Sequence, residues 1–202
     1  MLPARREKKL ATRARVLIAA RDLFDEVGYE ETTIRMVAER AGVAVGSVFT
    51  TFAGKEELLS QVMADRVEAL LAELEHVAPH LRGPTIDRLR SIMAVHYGFE
   101  TRRLRLFVAY VACSFTWPAD GAVTPIGRNR RFRDMLADVL RGGIERGEVR
   151  ADADIDLFLD TLLAAYVWNY RRAAQEGADA AALISAMDRQ IGLLFDGVAA
   201  RP

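Results

Sequence analysis

Thr33, Arg35, Ser47, Thr50, Thr51 and Lys55 are the side chains whose types and spacing point to a shared task. Hydroxyls and two cations in one short stretch can hold phosphate oxygens, and an arginine can also fork onto a base edge. Around the last four runs AGVAVGSVFTTFAGKEELL, residues 41–59, which is otherwise apolar and glycine-rich. A phosphate loop, a buried strand and the turn of a DNA-reading motif each explain part of it. The phosphate loop requires a preceding strand and a different glycine spacing, so it fits poorly.

Other chemistries find less support. His76, His80 and His96 are the only histidines, and Pro79 breaks the helix that would set the first two on one face. No Ser or Cys sits beside an obvious base. Cys113 is the single cysteine, which excludes an internal disulfide and a Cys-based zinc site. We therefore expect no enzyme, no cofactor and no metal.

The elements that must position the polar set are helical throughout. The 202 residues are 51% hydrophobic and 28% charged with zero net charge, a globular composition. Apolar runs such as Leu162–Trp168 are too short to span a bilayer, and no signal core follows the basic start. The expectation is a cytoplasmic protein with no membrane partner. Charge is uneven, however: residues 1–21 carry seven Arg or Lys against Glu7 alone, a local +6 that suits phosphate docking or a frayed, solvated helix start.

Apolar periodicity predicts helices at about 9–27, 33–41, 44–51, 55–78, 85–100, 104–115, 126–146, 155–174 and 179–199, with a loop at 116–125. The expected fold class is all-α, with about nine helices. A helix-turn-helix DNA-binding domain over 1–54 would precede a larger helical effector-binding and dimerisation bundle over 55–202. In the first, Ala38 is the small residue at a helix crossing, Gly42 makes the turn, and Val37, Ala41, Val43, Val48 and Phe52 face inward. Ser47, Thr50 and Thr51 then face out, with Val45 and Gly46 at the exposed end of the third helix. Taken singly, Thr33 reads equally well as a helix cap and Lys55 as a surface charge.

Residues 28–59, GYEETTIRMVAERAGVAVGSVFTTFAGKEELL, resemble the N-terminal signature of the TetR family of bacterial transcriptional regulators. The resemblance implies that Thr33 contacts a phosphate, Arg35 a phosphate or base edge, and that Val45, Gly46, Ser47 and Thr50 face the groove. Phe49 stands where the family usually has tyrosine and Thr51 where histidine is common; Lys55 would grip the DNA backbone. Phe49 lacks the hydroxyl that would bond a phosphate, and Ala44 replaces a frequent capping Ser. Reading should therefore lean on Arg35, apolar contact and DNA shape.

The resemblance also implies a ligand-responsive regulator, usually a repressor, that binds double-stranded DNA as a homodimer. Ile184, Met187, Ile191, Leu194 and Val198 repeat at 3, 4, 3 and 4, a heptad stripe suited either to a dimer seam or to the chain's own core. His96, Tyr97, Phe107, Tyr110, Tyr166, Asn169 and Tyr170 are candidate contacts for a small hydrophobic or aromatic effector. A helical adaptor or small-molecule-binding protein without sequence-specific DNA recognition is the alternative. It leaves the basic start and the Arg35-to-Lys55 set without a purpose.

Overall fold

The computed structural model describes residues 4–117 and 129–200. Nine α-helices make up this part: α1 (Ala4–Glu26), α2 (Ile34–Ala41), α3 (Val45–Phe49), α4 (Lys55–Val77), α5 (Thr85–Glu100), α6 (Leu104–Ser114), α7 (Arg130–Glu145), α8 (Ile155–Glu176) and α9 (Ala180–Asp196). No strand occurs among the described residues, only one isolated bridge between Val149 and Ala199. Nor is any described helix long and apolar enough to cross a membrane. Residues 118–125 of the expected loop and 126–128 of the expected seventh helix lie outside the described part.

Two compact units share the chain. The first holds described residues 4–67 and 103–117, the second 68–102 and 129–200. In the first unit Val16, Ala19, Ala20, Leu23 and Phe24 of α1 pack inward with Val37, Ala38, Val48 and Phe52. Helix α6 belongs here too: Leu106, Phe107 and Tyr110 are buried, and Arg103 pairs with Asp25 of α1 at 3.0 Å. The expected division at residue 54 places α6 in the other part. Linear order hides this, because a core is completed by whichever helix supplies the missing apolar face. Helix α1 also starts at Ala4, ahead of the expected Lys9, because helix-forming residues carry it past the apolar stripe.

The second unit packs α5, α7, α8 and α9 around Leu89, Ile92, Leu136, Leu140, Leu159, Leu162 and Leu183. Side chains close the helix starts: Asn129, Asp154 and Asp179 accept from the amides of Phe132, Leu157 and Ala182. At Gly143 of α7 a Cβ would stand 2.5 Å from Thr85 Oγ1 and 2.8 Å from Val149, so only glycine permits that approach. The Glu148 carboxylate accepts from the Thr85 amide at 2.5 Å and from Arg146 at 2.7 Å. Those bonds hold it well below the ordinary carboxylate range, at about 2, with Arg146 the larger cause.

Candidate nucleic-acid interface

The turn between α2 and α3 is built as its glycine demands. Gly42 adopts φ 63° and its amide donates to Ala38 and Glu39 carbonyls, while Val43 N–H returns to Ala38 O at 3.0 Å. Val37, Ala38, Ala41, Val48 and Phe52 are buried beneath it, which sets the angle of α3. Thr32 is buried and donates its hydroxyl to Gly28 O at 2.7 Å, anchoring the loop before α2.

Thr33 caps α2, its exposed hydroxyl accepting from Met36 N at 3.2 Å. Arg35, within the first turn, is exposed with no hydrogen bond or ion pair among the described residues. Its neighbour Arg40 is committed, clasping Glu26 through two nitrogens at 3.1 and 2.9 Å.

Around α3 two hydroxyls bond the backbone of their own helix while two apolar side chains face solvent. Thr50 donates its hydroxyl to Gly46 O at 2.8 Å, and Thr51 to Ser47 O at 3.2 Å. Val45 is 40% exposed and Phe49 55% exposed. Ala44 supplies no side-chain cap, as its identity dictates; its carbonyl accepts from Ser47 N instead. Gly46 is exposed, has no positive φ, and nothing in the protein approaches the site of a missing Cβ within 4 Å. The fold itself does not require glycine there.

Lys55 departs most from the expectation of a DNA-gripping surface cation. Its ammonium donates to the carbonyls of Tyr29 and Glu30 at 2.8 and 3.0 Å and lies 4.4 Å from the Tyr29 ring centroid. Two of its three donors thus pin the loop between α1 and α2, and one is left for another acceptor. Thr33, Arg35, Val45, Phe49 and Lys55 all lie in the first unit.

The effector candidates divide. Phe107 and Tyr110 sit on α6 in the first unit, whereas His96, Tyr97, Tyr166, Asn169 and Tyr170 meet in the second. There the Tyr166 hydroxyl lies 3.0 Å from His96 Nδ1, and Asn169 donates to the Tyr97 hydroxyl at 3.0 Å. The Tyr97, Tyr166 and Tyr170 rings pack with centroids 5.1 to 5.4 Å apart. Burial raises the Tyr97 and Tyr166 phenols above their ordinary range, so both remain neutral donors. Sequence reading missed two members: Gln190, which exchanges amide bonds with Asn169 at 2.8 and 3.2 Å, and Glu100, fully buried on the same face of α5 as His96 and Tyr97. Glu100 lies four residues after His96, so helical spacing did offer a signal for it.

The expected seam on α9 is only partly outward. Met187 and Ile191 are buried in their own chain, and Met187 Sδ receives the Tyr97 hydroxyl at 3.7 Å. Ile184, Leu194 and Val198 are partly exposed at its flanks. A 3–4 stripe fits either an inner or an outer face, and here its centre serves the inner one. The outward apolar groups are Leu157 and Trp168 on α8 and Leu193 on α9, 63%, 56% and 76% exposed. Leu157, Ala164 and Trp168 are spaced 7 and 4, a heptad signal present in the sequence itself.

Comparison with known proteins agrees with this geometry. Residues 16–62 match the family described as bacterial regulatory proteins, tetR family. The chain is 30% identical over 146 residues, 72% of each sequence, to the HTH-type transcriptional repressor KstR2 of Mycobacterium tuberculosis. Among solved structures, Thermus thermophilus FadR, a TetR family repressor in complex with lauroyl-CoA, is similar with TM-score 0.69 and 24% identity, over 94% of this chain and 96% of that one. The ketosteroid transcriptional regulator KstR2 of M. tuberculosis is similar with TM-score 0.65 and 23% identity, over 100% and 98%.

Proposed function

The chain belongs to the TetR family of bacterial regulatory proteins and is a ligand-responsive, DNA-binding transcriptional regulator; we propose that it is a repressor acting in the cytoplasm on a pseudo-palindromic operator, released by a small, largely hydrophobic effector. The observation that carries the reading is the surface of α2 and α3. Arg35 stands unpaired among the described residues, Val45 and Phe49 are exposed, and Gly46 leaves room for a close neighbour that the protein does not supply.

Each group has a task on DNA. Arg35 takes a phosphate or the edge of a base. Phe49 and Val45 touch thymine methyls and sugars, and Gly46 lets the α3 backbone approach closely. Thr33, Ser47 and Thr50 contribute hydroxyl oxygens to the same surface, with Thr51 behind them. Lys55 holds the loop before α2 in place and turns its remaining N–H to phosphate.

One short helix reaches few base pairs, so the homodimer supplies the second reader. Its seam is the exposed face of α8 and α9 around Leu157, Ala164, Trp168 and Leu193, and it sets recognition helices about 34–36 Å apart. The effector enters among the neutral phenols, His96 and Asn169 of the second unit. The lauroyl chain in the FadR complex and the steroid in the name of KstR2 are apolar bodies of the kind such an interior accepts. Helix α4 is continuous from Lys55 to Val77, so a shift of its later turns reaches the loop that Lys55 pins. For release, the effector must bind the non-DNA state more tightly, since only differential affinity moves the equilibrium.

Selection of random duplexes by the purified full-length protein, across a salt series, tests the reading. Enrichment of a palindromic site with affinity falling as salt rises is expected. Binding with no base preference at any salt would refute it.

A further inference from the structure

Helix α1 begins at Ala4, yet from Arg6 onward its first buried side chain is Val16. Arg6 through Ala11 are all exposed, and the overhang before Val16 amounts to about 18 Å of helix at 1.5 Å per residue. From Arg6 to Ala11 it contributes nothing to the core, and its own electrostatics oppose it. Arg6, Lys8 and Lys9 crowd the positive end of the helix dipole with only Glu7 to offset them, and Lys9 faces like-charged Arg13 one turn on.

The register of these cations is informative. Arg6, Lys9 and Arg13 follow one another at spacings of three and four, and the same row continues into Val16, Ala20 and Phe24, which are core. Arg13 fixes where the row leaves the core. Its Nη2 donates to Gln61 Oε1 at 2.5 Å, and its guanidinium lies 5.4 Å from the centroid of Phe52, three residues past the end of α3. From that anchor, Lys9 stands about 6 Å and Arg6 about 10 Å further along the helix.

We propose that this overhang is a second DNA contact, in which Arg6 and Lys9 hold phosphates beside the base pairs that α3 reads. The inference rests on the DNA-binding reading above and extends it to residues outside the helix-turn-helix. A polyanion is the partner that reverses both costs, since phosphates neutralise the like charges and favour the helix that carries them. A membrane surface would demand an apolar stripe, and Leu10 is the only large apolar side chain from Arg6 to Ala11. The contact is to backbone and reads no bases. A helix with its side chains is about 10–12 Å wide, whereas the minor groove is about 6 Å wide. Such contacts raise affinity for every sequence alike.

The test compares full-length wild type, R6Q/K9Q and R6K/K9R on the operator the wild type selects, from 50 to 200 mM salt. Four neutralised phosphates per dimer give a slope of log affinity against log salt steeper by about 3 to 4, so wild type should lose about 100-fold more affinity than R6Q/K9Q over that range. R6K/K9R keeps the wild-type slope, and all three keep the same base preferences. Equal slopes for wild type and R6Q/K9Q overturn the proposal while leaving the helix-turn-helix reading intact. Changed base preference at the flanks of the site overturns it as well, since that is groove insertion. A wild type that selects no operator removes the DNA-binding reading, and this proposal with it.

Discussion

The surface of α3 and the interior between α5 and α8 invert the usual placement of polar and apolar groups in opposite ways. On α3, Val45 and Phe49 face solvent while Thr50 and Thr51 spend their hydroxyl protons on their own helix. Between α5 and α8, His96, Glu100 and Asn169 are buried among three tyrosines. Ordinary folding places apolar groups inside and leaves charge outside. The proposed function gives each a ligand: a DNA surface for the first, an apolar effector with a few polar points for the second.

The largest expected effect would break the interior side of this comparison. Asn169→Leu removes the donor to the buried Tyr97 hydroxyl and the partner of the half-buried Gln190 amide. We expect a loss of about 2–4 kcal/mol in thermal or denaturant unfolding, because unsatisfied buried groups cost more than the bonds themselves contribute. An unchanged midpoint would mean that the cluster is wet or loosely held.

On the exposed side, Arg35→Ala should cost about 1–3 kcal/mol in operator affinity, measured by anisotropy titration, with the melting midpoint unmoved. Equal affinity would remove the one unpaired cation of α2 from the interface. The two outcomes together sharpen the contrast: the interior residue governs stability, the surface residue binding alone.

A third effect separates neutral from charged burial in the second unit. Glu148 is held at about 2, below its ordinary value of 4.5, mainly by Arg146 and then by Thr85. Its folded pKa is depressed, so its stabilisation is present above about pH 4.5 and is lost as pH falls toward 2. With solvent screening allowed, this amounts to about 1–2 kcal/mol, and Glu148→Gln should flatten that part of the stability curve. The tyrosine cluster contributes no slope there, since its phenols are neutral throughout.

The smallest effect from substitution is Phe49→Tyr. Adding the hydroxyl usual at this position in the family should tighten operator binding by about 0.5–1.5 kcal/mol through one phosphate bond. Weakened binding would show that the ring itself, edge included, is packed against a methyl or sugar.

Much of the reader was legible before any coordinates. Gly42 at the turn, Val48 and Phe52 inside, and Thr33 before α2 all follow from helical spacing and turn chemistry. Lys55 was harder, because a lysine at a helix start looks alike whether it meets phosphate or a loop carbonyl, and its partners lie 25 and 26 residues away. The α9 stripe was ambiguous for a physical reason: a 3–4 repeat specifies a helix with an apolar face and not what covers it. Aromatic density alone marks Phe107 and Tyr110 as effector candidates, and it is blind to which core a helix joins. Gln190 gave no signal, since its pairing with Asn169 depends on how α8 and α9 are packed.

The central claim is that α3 reads DNA through apolar contact. Replacing thymine by uracil at each position of the selected operator removes one methyl while keeping every hydrogen-bonding edge and every charge. We expect a loss of about 0.8 kcal/mol, roughly fourfold, at one or two thymines in each half-site, and a smaller loss at those positions when Phe49 is replaced by Ala. Affinity unchanged by uracil at every position would contradict the claim.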